Sequence, residues 1–136
     1  MDKLRKDKRD EIDAILCQAQ ETLNTGDKEY SAKLVKQAWG LLPDPKFEWD
    51  VSKSFAHAVA ELYRDLGNFS AALNIMNDLF SSGTVKPYQD APHFILGTIY
   101  FEMGELKDAK TSLIKANEIS KGRCFNDQPD KYKNIL

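Results

Sequence analysis

His57 and Glu61 stand four positions apart, a spacing that sets two side chains on one face of a helix and that metal-binding pairs use. Two donors hold zinc poorly, however. The one other histidine, His93, has no cysteine, histidine or acid at a ligand spacing, so a solvated helix face is the simpler reading of the pair. Cys124 sits in Gly122-Arg123-Cys124-Phe125, next to a cation that would lower its pKa slightly. With no histidine nearby it makes a weak candidate nucleophile. Cys17 and Cys124 lie far apart in the chain and read as two free thiols of a reducing compartment. Neither a glycine-rich phosphate loop, nor a nucleophile elbow, nor a zinc-protease motif is present. The residues therefore predict no enzyme, no cofactor and no metal.

Composition narrows the class further. The 136 residues are 42% apolar and 29% charged, one domain's worth of chain, and 19 Lys and Arg against 21 Asp and Glu leave a net charge of −2. Such a balance argues against a protein that grips nucleic acid through bulk positive charge. The opening residues are dense in charge, which predicts no secretory leader. The longest apolar run, Phe94 to Phe101, contains Gly97 and Thr98 and is far shorter than the ~20 residues that span a bilayer. A cytoplasmic protein away from membranes is expected. Lys3, Arg5, Lys6, Lys8 and Arg9 cluster, but Asp2, Asp7, Asp10 and Glu11 alternate with them. A soluble helix end is the plainer reading than an anion site.

The elements that must carry these residues repeat. Ala19, Ala60 and Gly97 occupy one small-residue position, Gly26, Gly67 and Gly104 a second position, and Ala72 and Ala109 a third. Tyr63 and Tyr100 share a large position, Met76 and Leu113 another, and Ala38 and Ala116 a further small one; Pro43 closes the first unit. Small residues let two helices approach, the large one fills the gap beside them, and the glycine ends the first helix. This pattern resembles the tetratricopeptide (TPR) repeat, with spacings three and seven residues longer than its 34-residue unit. The resemblance implies an all-α fold: three helix hairpins stacked into a short right-handed solenoid. Expected helices run over 5–24, 28–41, 45–66, 69–81, 90–103 and 106–120, in one domain with repeats at about 5–43, 45–82 and 88–121. The early start of the third helix rests on Asp44-Pro45 as N-cap and first helical residue. Trp39 and Trp49 are expected to be buried where the first two units meet. The tail, 122–136, is a candidate cap through Tyr132, Ile135 and Leu136.

In TPR proteins the first helix of each pair lines a concave groove. Carried over, its walls are Asp13, Leu16, Gln20, Leu23 and Asn24, then Ser54, His57, Glu61, Arg64 and Asp65, then Ala91, Phe94, Thr98, Phe101 and Glu102. This face is mildly acidic, with two aromatics at its far end, and suits a basic, partly apolar protein segment. His57, Glu61, Arg64, Asp65, Phe94, Thr98, Phe101 and Glu102 are the expected contacts. Phe94 and Phe101 are either exposed anchors or are covered by the tail through Phe125, Tyr132 and Ile135. Co-chaperones of this family clamp a C-terminal carboxylate with lysine, arginine and asparagine; this chain offers Leu16, Gln20, Ala58, Ala91 and Ile95 there, which excludes that activity.

Leu42-Pro43-Asp44-Pro45-Lys46-Phe47-Glu48-Trp49, and Gly122-Arg123-Cys124-Phe125 with the later Asp130-Lys131-Tyr132, resemble short bacterial TPR proteins of the polymorphic-toxin immunity type. That resemblance implies stoichiometric neutralisation of a cognate toxin domain with a basic surface. An adaptor or secretion-type chaperone holding an extended client peptide is the alternative, and weak self-association through the stack ends is a third.

Overall fold

The computed structural model describes residues 1–136 and is all-helical, without strands. No helix is long and apolar enough to cross a membrane. The chain divides into two compact units, Met1–Leu79 and Phe80–Leu136.

In the first unit, α1 (Lys6–Asn24) and α2 (Lys28–Leu41) pack as a hairpin, and α3 (Ser52–Asp65) packs on both. The unit ends within α4 (Phe69–Ser81). Ala19, Val35, Ala38, Ala56, Val59, Ala60, Ala72, Met76 and Leu79 are wholly buried, so the small-residue positions of the sequence pattern are those where helices come close. One polar residue joins them: the Ser31 hydroxyl donates to the carbonyl of Ala19 at 2.7 Å, linking the two helices of the hairpin.

The second unit contains α5 (Ala91–Glu102), α6 (Leu106–Ser120), a 3-10 turn at Arg123–Phe125 and the one-turn helix α7 (Asp130–Lys133). Its hairpin is tighter still. A Cβ on Gly97 would lie 2.7 Å from Leu113 Cγ and 3.2 Å from the Leu113 nitrogen, so α5 and α6 touch at a spot that only glycine leaves free.

The same turn closes α1, α3 and α5. Gly26, Gly67 and Gly104 are left-handed, with φ of 92°, 79° and 83°. Around them the amides of Asp27, Asn68 and Glu105 donate five residues back, to Thr22, Tyr63 and Tyr100, while each glycine amide donates three back, to Leu23, Arg64 and Phe101. This is the Schellman ending, which satisfies carbonyls that a helix terminus leaves orphaned. The sequence periodicity is thus a backbone periodicity.

The third helix begins at Ser52, not at Pro45. Residues 42–51 form a loop tied by side chains that compete with helix formation. The Lys46 ammonium donates to the carbonyls of Trp39 (2.9 Å) and Leu42 (2.7 Å), closing the end of α2. Trp49 Nε1 donates to the Pro43 carbonyl at 2.8 Å, and the Ser52 hydroxyl accepts from the Trp49 amide at 3.1 Å while donating to the Lys46 carbonyl. Trp39 and Trp49 are half-buried in this junction, Trp39 tilted against Phe47 at 5.9 Å. The loop also holds the N-terminus: Asp2 and Trp49 form an isolated bridge, and the Leu4 amide donates to Asp50 Oδ1 at 3.1 Å.

Candidate functional site

In the first unit α1 and α3 leave an open groove of about 420 Å³ between them. Leu16, Phe55, Ala58 and Leu62 supply apolar surface, and Asp13, Glu61 and Asp65 bring three carboxylates. Gln20, Ser54 and the exposed free thiol of Cys17 complete the walls. Helical periodicity produces this grouping: Ser54, Ala58, Glu61 and Asp65 follow one another by three or four positions, and on α1 Asp13 is three and four positions from Leu16 and Cys17, which are four and three from Gln20. The sequence places Asp13, Leu16, Gln20, Ser54, Glu61 and Asp65 on this face, and the structure brings those six together. Cys17 is outside the wall positions that the sequence marks, as are Phe55 and Leu62, while Ala58 is marked only as a clamp position of the TPR groove. The last three sit at the border between the groove stripe and the core stripe, where one side chain serves both.

The groove is electronegative. Arg64, whose side chain is only 12% exposed, lies beside it with Nε 2.9 Å from Asp65 Oδ1 and a terminal nitrogen 3.9 Å from Glu61 Oε2. Burial raises the pKa of Glu61, opposed by Arg64 and reinforced by Asp65. Its carboxylate is therefore incompletely solvated, and a cation arriving from outside would relieve part of that cost. His57 is on the same helix but is not one of the groove walls. It is half-buried, its Nε2 is buried without a hydrogen-bond partner, and burial followed by the Lys53 charge lowers its pKa to about 4. The imidazole is neutral at neutral pH. No three of the His, Cys, Asp and Glu side chains gather as a metal site.

The second unit treats its expected contacts differently. Phe94 is buried, edge-on to Phe125 (5.8 Å, 80°) and Tyr132 (6.0 Å, 85°), and Phe101 meets Tyr132 edge-on at 5.2 Å. Glu102 Oε1 accepts from the Tyr132 hydroxyl at 2.8 Å and lies 2.6 Å from Lys131 Nζ. Of the two arrangements open for these aromatics, the covered one is found: Phe94 is not an exposed anchor. Thr98 is fully buried and its hydroxyl donates to the Ile95 carbonyl at 2.7 Å. The tail caps as expected through Tyr132, with Ile135 half-buried, whereas Leu136 stays exposed. Cys124 also departs from expectation: burial raises its thiol pKa despite the neighbouring Arg123, with Asp90 adding to the rise and Ser120 opposing it.

The second unit has a concavity of its own, about 340 Å³, among Phe80, Val85, Pro87 and Ile119, with Lys86, His93, Lys115 and Glu118 around them. His93 stacks at a tilt on Phe80 at 5.0 Å, and burial, then Lys115, lowers its pKa. No protein-family model matches the chain, and neither a curated protein nor a solved structure does.

Proposed function

We propose that the chain is a non-enzymatic, cytoplasmic protein-binding module of the TPR type, and within that class an immunity protein that neutralises a toxin domain by one-to-one binding. The carrying observation is the groove between α1 and α3, where three carboxylates stand over apolar surface. A basic side chain with an aliphatic stem meets both requirements: its methylenes cover Leu16 and Leu62, and its head pairs with Glu61 or Asp65. The three matching Schellman turns support the repeat reading.

The segments that carry the immunity resemblance play structural parts. Leu42 is buried, Lys46 closes α2, Trp49 pins the loop, and Phe125 and Tyr132 plug the second unit. They define a scaffold, and the open groove of the first unit stands apart from them. Neutralisation would then be occlusion: a basic surface, steered by the acidic groove, is covered by the bound module.

Co-expression with the product of the neighbouring gene tests this reading. The pair should co-purify at one-to-one and the partner's toxicity should disappear. Reversing both Glu61→Lys and Asp65→Lys should slow association at least ten-fold at low salt and less at high salt. Unchanged association would remove the groove from the account, and absence of both complex and protection would remove the immunity reading. Weak binding to several unrelated extended peptides would favour the client-chaperone alternative.

A further inference from the structure

The tail does more than hide apolar surface, because its chemistry matches the face it covers residue by residue. Phe94 and Phe101 present ring surfaces, and Tyr132 sets its ring edge-on to both. Glu102 offers a carboxylate, which takes the Tyr132 hydroxyl and the Lys131 ammonium together. Lys131 in turn lies over the rings of Phe101 (5.8 Å) and Tyr132 (5.3 Å). An aromatic residue preceded by a lysine is thus recognised through stacking, a charge-assisted hydrogen bond, an ion pair and cation–π contacts on one short stretch of α5.

The two halves of the tail are held unequally. The inner half is fastened: the Cys124 amide donates to Ser120 Oγ at 3.0 Å, Arg123 Nε donates to the Ser120 carbonyl at 3.0 Å, and Phe125 is buried with Leu113 and Ala116. Beyond it, Asn126 to Lys131, Lys133, Asn134 and Leu136 are all exposed, and Tyr132 is the one fully buried side chain. The backbone bonds of α7, Tyr132 to Pro129, Asn134 to Asp130 and Leu136 to Lys133, stay inside the tail. Asp127, with φ of 61°, makes a left-handed turn that aspartate tolerates as a single residue. A segment held by the Tyr132 ring, the half-buried Ile135 and a part-exposed ion pair, with no backbone hydrogen bond of α7 reaching the helices, belongs to the low-stability end of a fold and opens locally before the helices do.

We infer that residues 127–136 are a resident stand-in: the Phe94–Phe101–Glu102 face of α5 is a docking surface for a partner segment in which an aromatic residue adjoins a lysine, and the tail occupies it until displaced. The inference is independent of the groove in the first unit, since it rests on other residues and another unit. The tail competes from its tether at an effective concentration of roughly millimolar, so an external segment of the same chemistry binds the intact chain weakly.

The experiment uses the full chain and, as probe, a fluorescent peptide with the sequence of residues 125–136, followed by anisotropy. Tyr132→Ala, which releases the tail, should retain the helical circular dichroism of the wild type and bind the peptide at least ten-fold more tightly than wild type. A peptide lacking the two side chains (Lys131→Ala, Tyr132→Ala) should not bind either protein. Equal affinity of wild type and variant for the probe overturns the inference. So does loss of helical signal in Tyr132→Ala, which would make the tail an integral part of the core. Hydrogen exchange of the wild type supplies a second reading. The amides of Tyr132, Asn134 and Leu136 should exchange at least a hundred-fold faster than those of Leu113 and Ala116, and equal protection overturns the inference as well.

Discussion

Along α3 the sequence runs His57, Glu61, Arg64 and Asp65; at the matching repeat positions along α5 it runs Phe94, Thr98, Phe101 and Glu102. The first set is polar, and Glu61 and Asp65 stand on an open groove. The second carries two phenylalanines, and the chain folds its own C-terminal segment onto them. The difference follows from solvation. Glu61 and Asp65 keep part of their hydration at an open wall, whereas two phenyl rings two turns apart on one helix are apolar surface that water disfavours and something must cover. Two helices with matching sequence spacing thus carry an open face and a closed one according to the residues at four positions.

The sharpest way to break that contrast is to truncate the same position in each unit. Phe94→Ala removes the ring beneath Phe125 and Tyr132 and should cost about 3–5 kcal/mol in urea unfolding at pH 7. His57→Ala removes a half-buried imidazole whose Nε2 has no partner and should cost about 1 kcal/mol or less. Equal losses would mean that position His57 is as much a core site as Phe94.

Next in size is a pH effect from His57 on the polar face. His57 has a folded pKa of about 4 against an ordinary value of 6.5. Below pH 6.5 the unfolded chain takes up a proton that the folded chain refuses, so stability falls as pH drops from 6.5 towards 4 and this contribution then levels off. At pH 5 the loss from this residue should be about 2 kcal/mol relative to pH 7, and His57→Asn should abolish it. His93 is shifted in the same sense, so the difference between wild type and variant isolates His57. Glu61, raised by burial, acts with the opposite sign: its protonation favours the folded state as the pH falls through its own titration. Parallel pH curves for wild type and His57→Asn would contradict the assignment.

The smallest expected difference separates two carboxylates. Glu102→Gln weakens the acceptor shared by Tyr132 and Lys131 and should cost about 1–2 kcal/mol. Glu61→Gln, at an open wall and already penalised by desolvation, should change stability by no more than about 0.5 kcal/mol. Its effect belongs in binding. A large stability loss at Glu61 would make it a structural residue and would close the contrast from the other side.

How far the sequence alone reached can be seen in particular residues. Five helices lie within a residue or so of their expected bounds, because small apolar residues at helical spacing and three left-handed glycines leave little freedom. The extension of α3 back to Pro45 failed, since Lys46, Trp49 and Ser52 bind nearby backbone carbonyls and amides, an option that periodicity does not register. Six groove residues were legible from wheel position, yet Cys17 was read only as a thiol in a reducing compartment. Its place on the wall depends on which side of α1 borders the groove beside α3, a three-dimensional property. Phe94 and Phe101 can be named but not assigned to exposed or covered, because that choice depends on where a short, weakly patterned tail comes to rest.

Cys17 also provides the most direct measurement. It is an exposed thiol on the groove wall, while Cys124 is half-buried in the other unit and serves as an internal reference. The complex with the neighbouring-gene product should be treated with N-ethylmaleimide and the modification of each cysteine followed by mass spectrometry. Cys17 should react at least ten-fold more slowly in the complex than in the free protein, with Cys124 unchanged. A one-to-one complex in which Cys17 reacts at its free rate would show that the partner is held elsewhere and that the groove is not the binding site.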